Sequence, residues 1–383
     1  MTPSTRKRLL LRFWRSASGF WRGPTARRAW LLVGLLVATV ILQLLVQYRL
    51  NFWSRDFFNA IEQKSGDALR MQALIFMPLA AASLALTVTS VWSRMTTERE
   101  WRRWLSHQLY DYWLLGERHM QLKFMQGDHQ TPEYRISDDA RVATDQPIDL
   151  VLGLLSSFLT SIAFISVLWS VGGSIDVELF GAKLGIPGYL VICVLAYSFL
   201  LTSATMFINR RLTSVVERNK HAEANLRATG AQLRAIGEGA ASTKGPRDGR
   251  HAIGVALEAV TARWRVLCFQ MMRMMFVSDA NKLIAPAVGL LVCGPKYLAG
   301  TMTLGGVVQA GAAFVVVQGA FSYIADNYGR LAEWASSACR VASLLESLDQ
   351  LETAEQAQNV STDEQIADAE AAPKVIPISR SRH

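Results

Sequence analysis

The sequence contains little charge for its length. Only 19% of its 383 residues are Asp, Glu, Lys or Arg, and 51% are hydrophobic. A soluble domain usually carries about 25% charged residues. This shortage of charge excludes an ordinary soluble fold and indicates a protein embedded in lipid.

Motifs for catalysis and for metal binding are also missing. The sequence has no GxxxxGK[ST] loop to hold phosphates, so we expect no ATP hydrolysis by this polypeptide through that route. Its four cysteines have no paired spacing, its six histidines lack metal-ligand spacing, and no nucleophile stands beside a base. We therefore expect no enzyme, no metal or other cofactor, and no disulfide framework.

Long uncharged windows predict membrane-spanning helices, since about 20 residues cross a hydrocarbon core. A weaker window at 276–294 carries Asp279, Lys282 and Pro286 near its start, but 283–294 is apolar and the next span needs a partner crossing. The fold class predicted is an all-α membrane protein with six transmembrane helices. The five clear windows are 30–48, 73–92, 150–171, 184–208 and 297–325.

The distribution of Lys and Arg predicts the topology. Residues 1–29 hold eight Lys/Arg and no acid, and 209–276 hold twelve against five acids, so both are expected in the cytoplasm. The loop 172–183, with Asp176, Glu178 and a single Lys183, is expected outside. The net charge of +9 thus reflects membrane sidedness rather than nucleic-acid binding, and both termini are predicted on the cytoplasmic side of a bacterial inner membrane.

Two long intervals, 94–147 and 209–276, have helical composition and predict two cytoplasmic helical hairpins. The charged stretch 131–150 is the expected turn of the first hairpin, and a break at 237–250 is expected in the second. Residues 1–29 alternate Arg with Trp and Phe, which is typical of an interfacial helix; a mitochondrial transit peptide is the alternative. The predicted domains are this basic segment, a transmembrane domain at 30–351 and a disordered polar tail at 352–383.

Several separated strings carry a resemblance to a known family. NFWSRDFFNAI at 51–61, YRISDDARVATDQPI at 134–148, AEANLRATGAQLRAIGEGAA at 222–241 and GPKYLAGTMTLGGVVQAGAAFVVVQGAFSYIADNYGRLAEW at 294–334 resemble the SbmA/BacA-like transporters and their ATPase-fused bacterial relatives. Peroxisomal acyl-CoA transporters are more distant kin. The resemblance covers roughly residues 10–350 and implies a type-1 ABC exporter-like transmembrane fold.

The resemblance implies two possible energy sources. In the fused relatives a nucleotide-binding domain begins near the position where this chain enters its tail, whereas family members without an ATPase resemble proton-driven peptide importers. The motifs here look closer to the fused branch. A lost domain, a separate ATPase chain and a proton mechanism all stay open.

Each energy source implies its own candidate residues. Docking on an ATPase would use coupling turns at 134–139 and within 222–239; the alternative is that these charges pair with one another. A proton mechanism needs carboxylates in or beside the membrane; the alternative is solvated interfacial charges, with Lys282 neutralising Asp279 and Arg55 pairing with Asp56. The coupling candidates are Arg135, Asp138, Asp139, Arg141, Glu223 and Arg227, and the proton-pathway candidates are Asp279, Asp326, Asp56 and Glu62.

These expectations combine into a transporter. We expect a homodimer of twelve spans that moves peptides or other bulky amphipathic compounds by alternating access, driven by protons. The alternatives are a permease that works with a separate ATPase chain and a non-transporting membrane scaffold or sensor.

Overall fold

The computed structural model describes residues 3–122, 132–179, 182–238 and 246–371, nearly all of them helical. A 3-10 turn at Leu115–Glu117 precedes α5, and a π-helical turn at Arg135–Asp139 joins α6 to α7. The elements in chain order are α1 (Pro3–Ala17), α2 (Gly19–Arg22), α3 (Ala26–Glu62), α4 (Gly66–Leu114), α5 (Arg118–Gln121), α6 (Pro132–Tyr134), α7 (Ala140–Gly172), β1 (Ser174–Leu179), β2 (Ala182–Pro187), α8 (Tyr189–Glu238), α9 (Pro246–Leu298), α10 (Leu304–Asp326) and α11 (Tyr328–Ala371).

Six helices of the described chain are long and apolar enough to cross a membrane, which confirms the predicted number of spans. The weakest window in the sequence lies in α9, which continues as one helix through Pro286 and Pro295. The apolar segments are found in Ala26–Glu62, Gly66–Leu114, Pro132–Gly172, Tyr189–Arg234, Asp248–Leu298 and Leu304–Ala357.

The chain divides into two units, each built from separated segments. Unit 1 comprises Met1–Gly34, Ser93–Asp149 and Arg330–His383. Unit 2 comprises Leu35–Trp92 and Leu150–Gly329. The predicted apolar windows lie almost wholly in unit 2, and the charged ends of α4, α7 and α11 lie in unit 1.

The core of unit 2 depends on small residues where helices cross. Phe164, Leu190 and Phe314 are almost fully buried in one apolar cluster. At the α9–α10 crossing, a Cβ added to Gly289 would stand 3.1 Å from the Cα of Gly311. Glycine allows the two backbones to meet there, as small residues do between membrane helices.

The core of unit 1 follows the amphipathic pattern of its helices. Trp101, Leu105 and Leu109 on α4 are buried, and their four-residue spacing puts them on one face of the helix. Leu344 and Leu348 on α11 are buried in the same unit. Charged residues at the edges of this apolar core then join the helices through ion pairs.

Two local expectations were wrong. The stretch 222–238 continues α8 rather than forming a turn, and α9 already begins at Pro246, so only 239–245 of the expected break lies outside the described residues. The tail expected to be disordered from 352 is helical in α11 as far as Ala371, and 372–383 lie outside the described residues. The predicted outer loop contains an antiparallel hairpin of β1 and β2.

Candidate functional site

A chain of polar side chains connects α8, α9 and α10 inside unit 2. The hydroxyl of Tyr197 donates to the Oδ1 of Asn281 over 2.9 Å, and the Nδ2 of Asn281 donates to the Oε1 of Gln318 over 3.2 Å. The Nε2 of Gln318, which is buried, donates to the Oγ of Ser322 over 2.8 Å. Polar groups in a span need partners because lipid offers none, so this network holds the three helices in register.

A cavity of about 250 Å³ adjoins this network. Asn281 and Ser322 belong to both the network and the cavity wall, and Asp326 places a carboxylate in the same wall. Within the described parts of the chain, no cation forms an ion pair with Asp326. We call this the polar cavity; it is lined by Leu201, Thr205, Ile208, Asn209, Met274, Val277, Ser278, Asn281, Ser322 and Asp326.

A second cavity of about 350 Å³ shares two wall residues, Ile208 and Val277, with the first. Its other lining residues are apolar except for one guanidinium, and we call it the apolar cavity. The Nε2 of Gln270 donates to the carbonyl of Ile208 over 2.9 Å and so fixes α9 against α8 beside the shared wall. The remaining lining residues are Phe269, Met272, Arg273 and Phe276.

Together the two cavities form a surface suited to an amphipathic ligand. Phe269, Met272 and Phe276 supply aromatic rings and a flexible thioether, which adapt to apolar groups of varied shape. Arg273 stands in one cavity and Asp326 in the other, and neither pairs with an opposite charge among residues that the structure describes. The two cavities therefore present apolar side chains together with one cation and one carboxylate.

The other predicted proton-pathway acids lie elsewhere and have local partners. Asp279 pairs with Lys282 at 2.9 Å, and both side chains are largely exposed. Asp56 pairs with Arg55 at 2.9 Å. The local pairs considered for both acids are therefore present, and of the four predicted acids Asp326 is the one that lines the polar cavity.

Glu62 lies at the N-terminus of α10. Its Oε2 accepts from the backbone N–H of Leu304 over 3.0 Å, while the Oδ1 of Asn59 accepts from Gly305 over the same distance. Thr303 caps the helix by accepting from the N–H of Gly306. Carboxylate and amide oxygens satisfy the unpaired N–H groups of a first turn, so Glu62 anchors α10 to α3.

The first predicted coupling segment is helical and is fixed to α11. Asp139, almost fully buried, accepts two hydrogen bonds from the guanidinium of Arg340, one of them 2.8 Å long. Arg135 donates to the backbone carbonyl of Arg340 over 3.3 Å. Asp138 and Arg141 pair with each other at 3.6 Å on the exposed side, as the alternative interpretation expected.

The second predicted coupling segment is not a turn. Glu223 accepts from the Nδ2 of Asn219 over 3.0 Å within α8, and Arg227 is an exposed residue of the same helix. Their assignment to a turn is therefore wrong.

Two ionic clusters in unit 1 involve acids that the sequence did not single out. Arg12 and Tyr112 both donate to Asp349, and Tyr112 also donates to Glu352 over 2.6 Å. Burial alone would raise the pKa of Asp349, but the hydrogen bonds from Arg12 and Tyr112 outweigh it and lower that pKa. Burial and hydrogen bonding of Asp349 both arise where α1 and α4 pack against α11.

The second cluster surrounds Asp149, which accepts from Arg94 over 2.7 Å and from Arg330 over 2.8 Å. Burial, with the negative charge of Asp149 added, raises the pKa of Glu98 to about 7. Glu98 is therefore a carboxyl group of unit 1 that changes charge near neutral pH.

Sequence reasoning missed Tyr197, Asn281 and Gln318, although a signal was present. Gln318 is an amide within a long uncharged window, and Tyr197 is a hydroxyl within another. A polar side chain in a span costs free energy unless it finds a partner, so such residues mark helix contacts or pathways.

Comparison with known proteins places this architecture in context. The family model described as ABC transporter transmembrane region 2 matches residues 23–298. The inner membrane ABC transporter ATP-binding protein YddA of Escherichia coli strain K12 is 24% identical over 340 residues, which is 87% of this chain and 60% of YddA. The chloroplastic ABC transporter D family member 2 of Arabidopsis thaliana is 20% identical over 343 residues, which is 90% of this chain and 46% of the plant protein.

A further relative has an ABC transporter name but no assigned function. It is an uncharacterized ABC transporter ATP-binding protein of Haemophilus influenzae, 20% identical over 297 residues, covering 78% of this chain and 50% of the relative. The chain thus spans about half the length of the curated relatives it matches.

Proposed function

Because this chain belongs to the ABC transporter transmembrane region 2 family, we propose that it is the substrate-translocating membrane part of a transporter for peptides or other bulky amphipathic compounds. The two adjoining cavities between α8, α9 and α10 carry this proposal, with their apolar wall and their unpartnered Arg273 and Asp326. The proposed role needs no catalytic residue, metal or cofactor, and no enzymatic activity is proposed.

The proposed transporter contains two copies of the chain. The cavities of one copy measure about 350 and 250 Å³, which is enough for a drug-sized ligand but not for a larger one, since sites for drug-sized ligands occupy about 300–1,000 Å³. A bulky substrate therefore needs walls from a second copy, as in a twelve-span assembly that opens alternately to each side. The excess of Lys and Arg in residues 1–29 and 209–276 supports an inner-membrane protein with both termini in the cytoplasm.

The proposed energy source is a proton gradient acting through Asp326. A carboxylate without a cationic partner, in a partly desolvated wall, is the kind of group that takes up and releases protons during transport. Protonation would remove the only negative charge among the lining residues of the polar cavity. The substrate's cationic group and a proton would then compete for the same oxygen atoms.

A second candidate is a permease powered by an ATPase. The Escherichia coli and Haemophilus influenzae relatives are both named ABC transporter ATP-binding proteins. This favours ATP as the energy source. The helical segment around Arg135 and Asp139, rigidly joined to α11, would then transmit movement from the ATPase, with the exposed Asp138 and Arg141 at the contact.

Uptake into proteoliposomes distinguishes these functions. Purified protein is reconstituted, and uptake of a fluorescent amphipathic peptide is followed with and without an imposed pH gradient, in the absence of ATP. Gradient-dependent uptake is the expected result. Peptide binding without uptake by verified, folded protein would refute the proton mechanism and favour the ATPase, and absence of both binding and uptake would favour a scaffold.

A further inference from the structure

A groove in unit 1 has the chemistry of a lipid headgroup site. It has a volume of about 530 Å³ and runs between α1 and α11. Arg6 and Lys7 supply two cations, and the other lining residues are apolar or aromatic: Leu10, Leu11, Phe13, Trp14 and Trp334. We propose that this groove binds an anionic phospholipid of the surrounding membrane, with the headgroup phosphate at Arg6 and Lys7 and the glycerol and upper acyl chains along the apolar side chains.

Contacts outside the groove hold α1 in place. Leu9 is buried, Arg8 pairs with Glu346 at 3.1 Å, and Arg12 pairs with Asp349 at 2.8 Å. Arg8 and Arg12 therefore stabilise the packing of α1. Their ion pairs fix the orientation of the helix and thus of its groove residues.

The groove cations differ from their neighbours because no carboxylate neutralises them. Among the described residues neither Arg6 nor Lys7 forms an ion pair, and both are exposed. Among the described residues, Arg6 contacts the thiol of Cys339, whose pKa is raised by burial. The groove lining includes no acidic residue, so the groove is complementary to an anion.

Its apolar side chains are complementary to a lipid rather than to a free phosphate. Leu11 is 63% exposed and Trp14 is 52% exposed, so both offer apolar area that a ligand could remove from water. Trp334 donates its indole N–H to the carbonyl of Ala143 over 3.3 Å, which leaves the ring as an apolar wall. Indole rings beside cations are typical of the membrane interface.

The same unit also contains the start of the first span. Trp30 and Leu31, at the beginning of the first apolar window, are 61% and 73% exposed. The indole of Trp30 donates to the carbonyl of Trp21 over 3.2 Å, and the ring of Trp21 packs against Trp101. Membrane-facing residues and groove are thereby parts of one folded unit.

Native mass spectrometry of the full-length protein in detergent tests the proposal. The protein is titrated with dioleoylphosphatidylglycerol and, separately, with dioleoylphosphatidylcholine, and the Kd of the first bound lipid is determined. Each cation near an anionic lipid contributes about fivefold in affinity, so Arg6→Gln/Lys7→Gln is expected to weaken phosphatidylglycerol binding roughly 25-fold. Phosphatidylcholine binding is expected to be weak and unchanged.

The matched control is Arg15→Gln/Arg22→Gln, which removes two exposed cations of the same segment that do not line the groove. It is expected to keep phosphatidylglycerol affinity within about fivefold of wild type. Hydrogen exchange in nanodiscs adds a readout of position: residues 3–17 should exchange more slowly with phosphatidylglycerol than with phosphatidylcholine, and the groove variant should abolish the difference.

Three outcomes would overturn the proposal. Equal binding of the two lipids would show that the groove does not select an anion. Equal losses in the groove variant and the control would show a diffuse charge effect, and an unchanged Kd in the groove variant would place the lipid elsewhere or assign the groove to a protein partner. The test does not depend on transport, so its result is independent of the proposed function.

Discussion

Arg12 and Asp349 form a two-point ion pair although 337 positions separate them in the sequence. The Nε and Nη2 atoms of Arg12 each donate to a different carboxylate oxygen over 2.8 Å. Tyr112 donates to the same carboxylate over 2.9 Å. The pair joins the first helix to the last and is completed by a residue from the end of α4.

Asp349→Asn should destabilise unit 1, because it removes the charge that satisfies Arg12 and Tyr112. We expect a loss of about 1–2 kcal/mol in the free energy of unfolding, reduced by partial solvent exposure. This loss is measured as a lower Tm of the purified protein in detergent, with unfolding followed by tryptophan fluorescence. Arg8→Gln, which breaks the more exposed pair with Glu346, is the control and should cost under about 0.5 kcal/mol.

The same carboxylate predicts a loss of stability in acid. A lowered folded-state pKa means that Asp349 stabilises the fold above its ordinary pKa, and this contribution is lost as pH falls through the folded-state value. The difference in Tm between wild type and Asp349→Asn should therefore be constant from pH 7 to 5 and shrink below about pH 4. A difference that persists undiminished at pH 3 would contradict this assignment.

Glu98, in contrast, should lower the stability of the fold as pH rises toward 7. Its pKa is raised to about 7 in the fold, so between about pH 4.5 and 7 the unfolded chain releases a proton that the folded chain retains. Stability is greatest below that window and declines as pH rises through it. The Tm of wild type should fall across this range relative to that of Glu98→Gln; parallel Tm profiles for the two proteins would refute the shift.

Gly289→Ala should disturb the crossing of α9 and α10. The added methyl would meet the Cα of Gly311 and the Cβ of Phe314, each at 3.1 Å, and backbone atoms cannot move aside cheaply. We expect a loss of about 1–3 kcal/mol from overpacking, seen as a lower Tm. Gly294→Ala is the matched control on the same helix, because no atom lies within 4 Å of its added Cβ.

Asp326→Asn should abolish gradient-driven peptide uptake, because the amide can neither take up nor release the coupling proton. Asp279→Asn is the matched control, since that acid is exposed and already paired with Lys282; uptake should stay within about twofold of wild type. Uptake is measured in proteoliposomes with equal amounts of folded protein. Full gradient-driven uptake by Asp326→Asn would remove this residue from the proton pathway.

The membrane helices could be predicted because they depend on a property that is local in sequence. Runs without charge identify α3, α4, α7, α8 and α10 directly. The local pairs Asp56–Arg55 and Asp279–Lys282 could be considered for the same reason, since their partners are one and three residues apart. A short sequence window contains all the information that these features require.

Two helices are longer than the sequence patterns predicted, because helix propensity extends them beyond their apolar faces. Residues 222–238 and 352–371 are rich in Ala, Gln and Glu, which favour helix even without an apolar face. The first stretch contains Gly230 and Gly237, each costing about 1 kcal/mol relative to Ala, and α8 continues through both. Low apolar content in the second stretch was interpreted as disorder, although it equally fits a solvated helix.

The candidate site could not be predicted in the same way. The network of Tyr197, Asn281 and Gln318 joins three helices, and its distances depend on how those helices rotate and cross. Nothing within any single helix specifies that rotation. The carboxylate of Asp326 could be named from the sequence, but its place in a cavity wall depended on α8 and α9.

Unit 1 is composed of three chain segments that are synthesised at very different times. The acids that neutralise Arg8, Arg12 and Arg118 are Glu346, Asp349 and Glu355, and the ribosome adds the first two of these acids more than 300 residues after their cations. Until then α1 is a free cationic amphipathic segment, able to lie on the membrane that receives the nascent spans. Unit 1 can therefore be completed only after α11 has been synthesised, whereas all residues of unit 2 precede Arg330 in the chain.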